Sequence, residues 1–255
     1  MLRARHGADP REFGAMDMDA HLDDKTRKPD YIRKMFDVIA PGYDAFTKYF
    51  SFGMDQQWKR SLLAEAAKHS AEHPVLVDLA CGTGDLALEL FKHVKPRLTV
   101  GVDASVQMLI MNQARTQGQM HLAAGDIVSL GLNDHSADVV TIGYGLRNTS
   151  DLTQGLREIA RVLKPGGILA NLDFYCPTGS LWPPVYLTYM HNFGRLAGWV
   201  WHREPSTYGY IAASIRRYVT IAQFEEALKQ AGFEIKWSRQ HLGGTIGLHV
   251  AKARG

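Results

Sequence analysis

The sequence is short of cysteine, of long apolar runs and of any large excess of charge. Its 255 residues include two cysteines, Cys81 and Cys176, which stand at no metal-ligand spacing and suggest no disulfide framework. The eleven histidines are scattered, so we predict no metal site. No apolar run reaches the roughly 18 residues that a transmembrane helix needs. The net charge of +3 is too small for the basic footprint of a nucleic-acid-binding protein, and we expect no nucleic-acid partner.

The composition indicates one globular domain with appended segments, because 45% of the residues are hydrophobic and 22% are charged. Residues 1–30 are polar and of mixed charge, without the apolar core of a signal peptide. We therefore predict a flexible N-terminal arm over residues 1–30 and a cytoplasmic protein.

Residues 31–72 have the apolar spacing of amphipathic helices. One helix is predicted from Tyr31 to Ala40, and another from about Asp55 to His69, with a break between them that includes Pro41. Because these helices precede a ligand-binding loop, we predict that they form a roof over the active site.

Strands and helices alternate over residues 73–255, which predicts an α/β fold with a mostly parallel sheet and helices on both faces. The predicted parallel strands are "VLVDLA", "RLTVGVD", "MHLAAGD", "ADVVTIGYG" and "ILANLDFY". Two further strands, "EIKWSRQ" and "TIGLHVAKA", flank Gly243 and Gly244, so we expect a seven-stranded sheet that ends in an antiparallel hairpin.

Residues 177–206 interrupt this alternation with an aromatic-rich insertion that holds Trp182, Tyr186, Tyr189, Phe193 and Trp199. Two interpretations stay open. The insertion is either a mobile lid with a hydrophobic channel for a prenylated ring, peripheral to a membrane surface, or a plain apolar cover for the sheet edge.

The segment "VLVDLACGTGDLAL" places a glycine-rich turn between a buried strand and a helix. Gly82 and Gly84 lack side chains, so the backbone can turn tightly and approach a ligand. Asp103 follows Gly82 by 21 residues, at the end of the next strand, where an acidic residue can bind both hydroxyls of a ribose. Together these features predict a nucleotide site.

Two cofactors fit this loop. Gly82-x-Gly84-x-x-Ala87 satisfies the loose dinucleotide fingerprint, so an NAD-dependent dehydrogenase is one alternative. Asp78, in the strand before the loop, favours a cationic ligand such as the amino-acid end of S-adenosylmethionine (SAM). The preceding helices and the closing hairpin, which stands in place of a second mononucleotide half, also favour SAM over NAD.

The end of the third predicted strand adds to the SAM pocket. Asp126 is placed to accept a hydrogen bond from an adenine amino group, with a helix N-cap as the alternative role. Ile127 is expected to pack on the adenine face. In the glycine loop, Cys81 is expected to fill space rather than to act as a nucleophile.

The segment "TIGYGLRNTS" places Arg147 and Asn148 side by side where a buried strand ends. That end is expected to face the mouth of the SAM pocket, because open α/β sheets bind ligands at the carboxyl ends of their strands. Gly143 and Gly145 are expected to leave room there for cofactor and acceptor.

Several segments together resemble the UbiE-type C-methyltransferases of ubiquinone and menaquinone synthesis. They are "MFDVIAPGYDAF", "SFGMDQQWK", "DLACGTGDLAL", "GYGLRNTSDL", "REIARVLKPGGIL", "TYGYIAASI" and "LGGTIGLHV", spread from about Tyr31 to Val250. The resemblance implies a class I, Rossmann-like methyltransferase fold and SAM as methyl donor, with S-adenosylhomocysteine as product. It also implies a hydroxylated aromatic ring as the small-molecule acceptor.

The resemblance also assigns site residues by position. It places the acceptor-side residues at Tyr43, Arg147 and Asn148. It places SAM contacts at Thr83, Asp103, Asp126 and Ile127. With the residues named above, the predicted cofactor-binding set is Asp78, Ala80, Gly82, Thr83, Gly84, Asp103, Ala104, Asp126, Ile127 and Gly143.

The sequence departs from the family pattern on the acceptor side. Thr47 stands where the family usually has Asn, and Asp55 where it usually has His. Asp173 and Tyr175 replace a Glu-x-Ser pattern at a strand end, where ligands bind. The SAM half is intact, whereas the acceptor stays open between a quinol and another aromatic metabolite.

Carbon methylation of a phenolic ring proceeds when a hydroxyl loses its proton and the oxyanion is stabilised. Arg147 suits the stabilising role and not the role of base, because a guanidinium stays charged. Asn148 would orient the ring oxygens or the donor, and Tyr43 would complete the pocket over the methyl group. The alternative roles are a surface salt bridge for Arg147, a helix cap for Asn148 and core packing for Tyr43.

The sequence therefore predicts a SAM-dependent C-methyltransferase of a quinol or related phenol. Methylation of O or N on another metabolite or lipid head group, and SAM binding without catalysis, are the alternatives. The oligomeric state stays open, a homodimer included.

Overall fold

One seven-stranded sheet organises residues 16–202 and 206–254, which the computed structural model describes. The strands are β1 Val75–Leu79, β2 Leu98–Asp103, β3 His121–Ala124, β4 Ala137–Gly143, β5 Leu163–Phe174, β6 Phe233–His241 and β7 Ile246–Ala253. Their order is β3-β2-β1-β4-β5-β7-β6. The five strands β3, β2, β1, β4 and β5, in this order across the sheet, are parallel, and β7 is antiparallel to both β5 and β6. The predicted fold class is therefore confirmed.

The middle of the sheet positions the ligand site. All five residues of β1 are buried, as expected for a parallel strand covered on both faces. β1 pairs Asp78 with Gly101 of β2 on one side and with Thr141 of β4 on the other. The chain order reverses between β1 and β4, and this is the place where open α/β sheets form a ligand crevice.

Helices cover both faces of the sheet. They are α1 Met18–Asp23, α2 Lys28–Ile39, α3 Tyr43–Phe50, α4 Met54–His69, α5 Asp85–Leu90, α6 Val106–Thr116, α7 Leu152–Val162, α8 Trp182–His202, α9 Ser206–Arg217 and α10 Ile221–Gln230. The residues predicted to form a helical roof contain α3, α4 and most of α2. Side-chain oxygens of Ser105, Asp151 and Thr220 cap α6, α7 and α10.

The prediction of a flexible arm over residues 1–30 is wrong for its second half, while residues 1–15 lie outside the described part of the chain. Residues 18–23 form α1, which buries Leu22. Arg217 of α9 pairs with Asp19 at 2.9 Å and with Asp23 at 2.5 Å. Contacts with a helix almost two hundred residues away therefore order this segment.

The aromatic insertion at residues 177–206 consists mainly of α8 and the start of α9. One side of α8 is buried through Tyr186, Leu187 and Met190. The other side exposes a row of apolar residues, of which Leu196 and Trp199 are about 60% exposed. Within residues 16–202 and 206–254, no helix is long and apolar enough to cross a membrane, and no cluster of side chains could hold a metal ion.

Candidate functional site

Two adjoining cavities open beside the carboxyl ends of the central strands. The strand-end cavity, of about 100 Å³, is bounded by the ends of β1, β2 and β4 and by α2. The apolar cavity, of about 400 Å³, lies beneath α2, α3, α8 and α9. Phe36, Tyr43 and Tyr144 line both cavities, so their rings form the wall between them.

The strand-end cavity has a carboxylate at each end of its polar side. Asp103 Oδ2 accepts from Gly82 N at 2.8 Å, which ties the end of β2 to the glycine loop. Burial raises the pKa of Asp103 to about 6, although the backbone donors of Ser105 and Gly82 oppose this. Asp126 Oδ1 accepts from Val128 N at 3.1 Å within a turn. No described helix starts there, so the N-cap alternative for Asp126 is wrong.

Three features of the glycine loop and its neighbours are compatible with the predicted SAM site. Asp78 Oδ2 and Asn148 Oδ1 are buried without a hydrogen-bond partner among the described residues, and each could accept from a cationic amino group. Burial raises the pKa of Asp78 to about 7, which a cation close to it would reverse. At Gly82, with φ +48°, an added Cβ would meet no atom closer than Ala80 O at 4.0 Å. The loop therefore leaves space at the cavity wall.

The structure separates the predicted cofactor residues into two groups. Asp78, Thr83 and Gly84 are not among the residues that line the strand-end cavity. Thr83 Oγ1 donates to Asp44 of α3 at 2.8 Å, and Arg115 donates to Thr83 at 3.0 Å. Those that line the strand-end cavity are Ala80, Gly82, Asp103, Ala104, Asp126, Ile127 and Gly143.

Close packing also requires glycine at positions 143 and 145. Gly143 and Gly145 line the strand-end cavity, but protein atoms fill the direction in which a Cβ would point. An added Cβ would lie 2.5 Å from Leu86 at Gly143 and 2.6 Å from Ala80 at Gly145. These glycines therefore let the end of β4 approach Leu86 and Ala80, and that they also leave room for ligands stays a prediction.

Arg147 lies at the base of the apolar cavity and is 4% exposed, so the surface salt-bridge alternative is wrong. Its Nη1 donates to Asp173 Oδ1 at 2.5 Å, and its Nε donates to Ser214 Oγ at 3.0 Å. The guanidinium lies 5.2 Å from the ring centre of Phe174. Burial lowers the pKa of Arg147, but the Asp173 charge overcomes this and raises it above its usual value. Arg147 therefore stays positively charged and is held in place within an apolar cavity wall.

The other two predicted acceptor-side residues are close by. Asn148 lines the strand-end cavity, and its Nδ2 donates to Tyr144 O at 3.1 Å. Asp151 caps α7, so the capping alternative for Asn148 is wrong. Tyr43, the first residue of α3, packs edge-on against Phe36 in the wall between the cavities.

The departures from the family pattern fall in different places. Tyr175 is fully buried against Phe224, where Asn171 donates to its hydroxyl at 2.7 Å. It is not among the residues that line the strand-end cavity or the apolar cavity. Asp173 holds Arg147, and Thr47 lines the apolar cavity while donating to Tyr43 O at 2.9 Å.

Asp55, the fourth departure, belongs to a buried chain of polar contacts. Tyr144 donates from its hydroxyl to Asp55 Oδ1 at 2.6 Å. Lys59 Nζ lies 2.6 Å from Asp55 Oδ2 and 2.6 Å from Asp85 Oδ2. Arg115 reaches Asp85 Oδ1 at 2.7 Å. A third cavity of about 430 Å³, the polar cleft, is lined by Asp55, Lys59, Asp85 and Arg115.

Sequence reasoning missed the residues that form most of the apolar cavity. Tyr210 and Ile211 come from α9, Trp58 from α4 and Phe174 from the end of β5. Tyr144 stands inside the "GYGLRN" segment but drew no separate prediction. The sequence signal that could have indicated this cavity is the aromatic content of residues 177–206. That segment contributes five residues to the cavity lining: Trp182, Val185, Tyr186, Tyr189 and Met190.

The chain is similar in sequence to known proteins. The model of the ubiE/COQ5 methyltransferase family matches residues 23–253. The chain is 36% identical over 228 residues to a ubiquinone/menaquinone biosynthesis C-methyltransferase UbiE of Rubrivivax gelatinosus, covering 89% of this chain and 87% of that one. It is 35% identical over 209 residues to a demethylmenaquinone methyltransferase of Lactiplantibacillus plantarum, covering 80% of this chain and 87% of that one.

Solved structures share the fold at lower identity. One is a chain from the complex of the Trm112 methyltransferase activator with a methyltransferase of Haloferax volcanii, with a TM-score of 0.60 and 20% identity over 84% of this chain and 98% of that one. Another is a SAM-dependent methyltransferase of Thermotoga maritima, with a TM-score of 0.58 and 17% identity over 87% of this chain and 100% of that one. These two likenesses concern the fold alone.

Proposed function

The chain belongs to the ubiE/COQ5 methyltransferase family, and from this premise we propose that it methylates a ring carbon of a quinol-type acceptor, with SAM as donor. The observation that carries the proposal is the apolar cavity, which is lined by Arg147, the partner of Asp173, and shares an aromatic wall with the strand-end cavity. Relatives named for ubiquinone, menaquinone or demethylmenaquinone act on this class of ring.

The strand-end cavity is the proposed SAM site. Asp103 would accept from the ribose hydroxyls and Asp126 from the adenine amino group. Asn148, which lines this cavity, has an unpartnered oxygen for the amino-acid end, and the contact predicted for Asp78 would need the ligand to reach beyond the lining residues. When bound, SAM supplies an electrophilic methyl group on a sulfonium. The protein's part is to hold the acceptor carbon in line and to exclude water.

Arg147 is the proposed stabiliser of the acceptor oxygen. Its charge is fixed by Asp173, and its surroundings are apolar, so a donor there interacts strongly with an oxygen that becomes negative. Asn148 lies one residue further along the same 3-10 turn and faces the strand-end cavity. Tyr43 separates the two cavities, and we propose that it closes over the reacting carbon.

The shape of the apolar cavity supports an acceptor with a long apolar substituent. Its volume of about 400 Å³ exceeds what a single aromatic ring fills. Phe52, Trp182, Val185 and Tyr189 line it and are themselves partly exposed at the surface. A prenyl chain attached to the ring would leave the protein at this place.

The same surface supports contact with a membrane. The exposed side of α8 continues from the cavity through Leu196 and Trp199, and an apolar helix side of this kind lies in the lipid interface. In vesicle co-sedimentation, Leu196→Ser/Trp199→Ser should lower the bound fraction severalfold. Leu98→Ser, an exposed leucine at the start of β2, should leave it unchanged. Equal binding by all three proteins would contradict the proposed contact.

A labelled-methyl assay against a panel of quinols, phenols and amines tests the proposed reaction. We expect transfer to a quinol, with a new C–C bond in the product, and calorimetric binding of SAM but not of NAD. A product with a new O–C or N–C bond, or no transfer to any phenolic compound, would contradict it.

A further inference from the structure

Tyr144 occupies the point where the two proposed ligand sites meet. It lies in the turn after β4 with φ +60°, a left-handed backbone that a tyrosine adopts only when its surroundings hold it there. Its ring stacks at 5.2 Å on Phe174, and its hydroxyl donates to Asp55 at 2.6 Å. A phenolic oxygen that donates one bond can still accept another.

Asp55 connects Tyr144 to a different part of the protein surface. The Asp55 side chain is buried, and its second oxygen faces Lys59 at 2.6 Å. Asp55, Lys59 and Asp85 line the polar cleft, which neither proposed ligand site occupies. Tyr144 and Asp55 therefore form an unbroken hydrogen-bonded path from the apolar cavity to the polar cleft.

The proposed reaction needs such a path. Ring methylation releases one proton for each methyl group transferred, and the acceptor hydroxyl must give up its proton before the carbon becomes nucleophilic. Arg147 cannot accept this proton, because a guanidinium stays protonated. Asp173 is already bonded to Arg147 Nη1, to Arg147 N and to Phe174 N.

We propose that Tyr144 and Asp55 form a proton relay that takes the proton from the acceptor hydroxyl and releases it to water in the polar cleft. This inference rests on the proposed function. The acceptor O–H bond breaks and its proton binds Tyr144 Oη, while the Tyr144 proton moves to Asp55 Oδ1. The acceptor oxygen keeps the electron pair and becomes a phenolate, Tyr144 is regenerated, and Asp55 becomes a neutral carboxylic acid. Asp55 then releases the proton to water in the cleft.

The groups that face the relay are arranged for this transfer. Lys59, on the same helix as Asp55, is buried between Asp55 and Asp85, so it is not a dedicated counter-ion of Asp55. Tyr43 of α3 lies near both members of the relay, and Asp173 of β5 lies near Tyr144. Burial and the Asp55 charge raise the pKa of the Tyr144 hydroxyl, so Tyr144 transmits a proton and does not persist as a phenolate.

Two variants test the relay. Tyr144→Phe keeps the ring but removes the hydroxyl, and Asp55→Asn keeps the volume but removes the carboxylate. General-base catalysis contributes roughly 10²–10⁴-fold, so kcat should fall about 100-fold or more in each variant. The calorimetric Kd for SAM should stay within about twofold. Lys92→Gln is the control, because Lys92 lines the polar cleft but pairs only with Glu89 among the described contacts.

The decisive readout is dependence on the acidity of the acceptor. A ring-halogenated quinol, whose hydroxyl ionises without a base, should restore the variants to within about threefold of the wild-type rate. A merely structural role predicts the same defect with both acceptors. The variants should also gain rate steeply as pH rises, because the ionised fraction of the ordinary quinol increases.

The outcomes separate this inference from the proposed function. If the wild type methylates the quinol but both variants keep kcat within about threefold, or the halogenated quinol gives no rescue, the relay is overturned while the proposed function stands. If the wild type forms no C–C product with either quinol, both proposals fall. If Asp55→Asn does not fold, Tyr144→Phe decides the question alone, because it leaves the Asp55–Lys59 pair in place.

Discussion

Replacing Arg147 with alanine should destabilise the fold as well as slow methyl transfer. The guanidinium is 4% exposed, donates to Asp173 at 2.5 Å and to Ser214 at 3.0 Å, and lies over Phe174. Breaking a buried pair by removing one partner costs about 3–5 kcal/mol. Asp173 would keep two backbone donors, Arg147 N at 3.0 Å and Phe174 N at 2.8 Å. We therefore expect a loss near the low end, about 3 kcal/mol.

Urea unfolding followed by tryptophan fluorescence measures this loss, and a double-mutant cycle assigns it to the pair. Arg147→Ala/Asp173→Ala should be destabilised by less than the sum of the two single variants, with a coupling of about 1.5 kcal/mol or more. The matched control is Arg97→Ala, because Arg97 is 60% exposed and lies 3.9 Å from Asp138. Such a surface pair contributes about 0.5 kcal/mol or less.

Two results would refute this reasoning. One is a loss for Arg147→Ala no greater than that for Arg97→Ala, which would mean that the buried carboxylate needs no counter-ion. The other is an additive double variant, which would mean that Arg147 and Asp173 act independently. In the methyl-transfer assay, Arg147→Ala should lower kcat strongly while the Kd for SAM changes little, because Arg147 lines the apolar cavity and not the strand-end cavity.

Three further predictions follow from single contacts. Gly145→Ala places a Cβ 2.6 Å from Ala80, so it should cost about 1–3 kcal/mol in thermal unfolding and weaken SAM binding through the displaced loop. SAM affinity measured by calorimetry should fall as pH drops below about 6, where Asp103 gains a proton and loses acceptor capacity, and Asp103→Asn should reduce this dependence to the part that comes from Asp78. Burial raises the pKa of Asp85, but the Lys59 charge lowers it to about 2 overall. The stability that Asp85 contributes is therefore present above pH 3.8 and lost towards pH 2, and Asp85→Asn should remove about 2 kcal/mol of this acid-sensitive stability in urea unfolding.

The sheet and the glycine loop were predictable because both have local signals. Apolar strands alternate with amphipathic helices at the spacing of a parallel sheet. The hairpin was marked by Gly243 and Gly244, which have φ +60° and +83° between β6 and β7. These features depend on residues close together in the chain.

The orientation of side chains at the end of β5 was not predictable in the same way. Asp173 and Tyr175 share one face of β5, but the first contacts Arg147 and the second packs against Phe224. Because β5 is buried on both faces, its sequence does not show which of these residues lies beside a ligand cavity. The position of Tyr175 at a strand end therefore suggested a pocket that it does not line.

That the N-terminal segment is folded could also not be predicted from its own residues. Residues 18–23 are polar enough to suggest an arm, and α1 is held by contacts of Asp19 and Asp23 with Arg217. The wall of Phe36, Tyr43 and Tyr144 likewise joins α2, α3 and the turn after β4, and Tyr144 is about a hundred residues from the other two. Such contacts depend on how the helices pack across the sheet edge.

The two buried carboxylates beside the apolar cavity differ in how fully their charge is compensated. Asp173 accepts from Nη1 of Arg147 and from two backbone N–H groups. Asp55 has the Tyr144 hydroxyl and a lysine that Asp85 also uses. Asp173 is thus engaged by the Arg147 cation, whereas Asp55 shares Lys59 with Asp85. Because the Tyr144 hydroxyl donates to Asp55, the proposed relay leads to Asp55, and the charge of Arg147 remains for the acceptor oxygen.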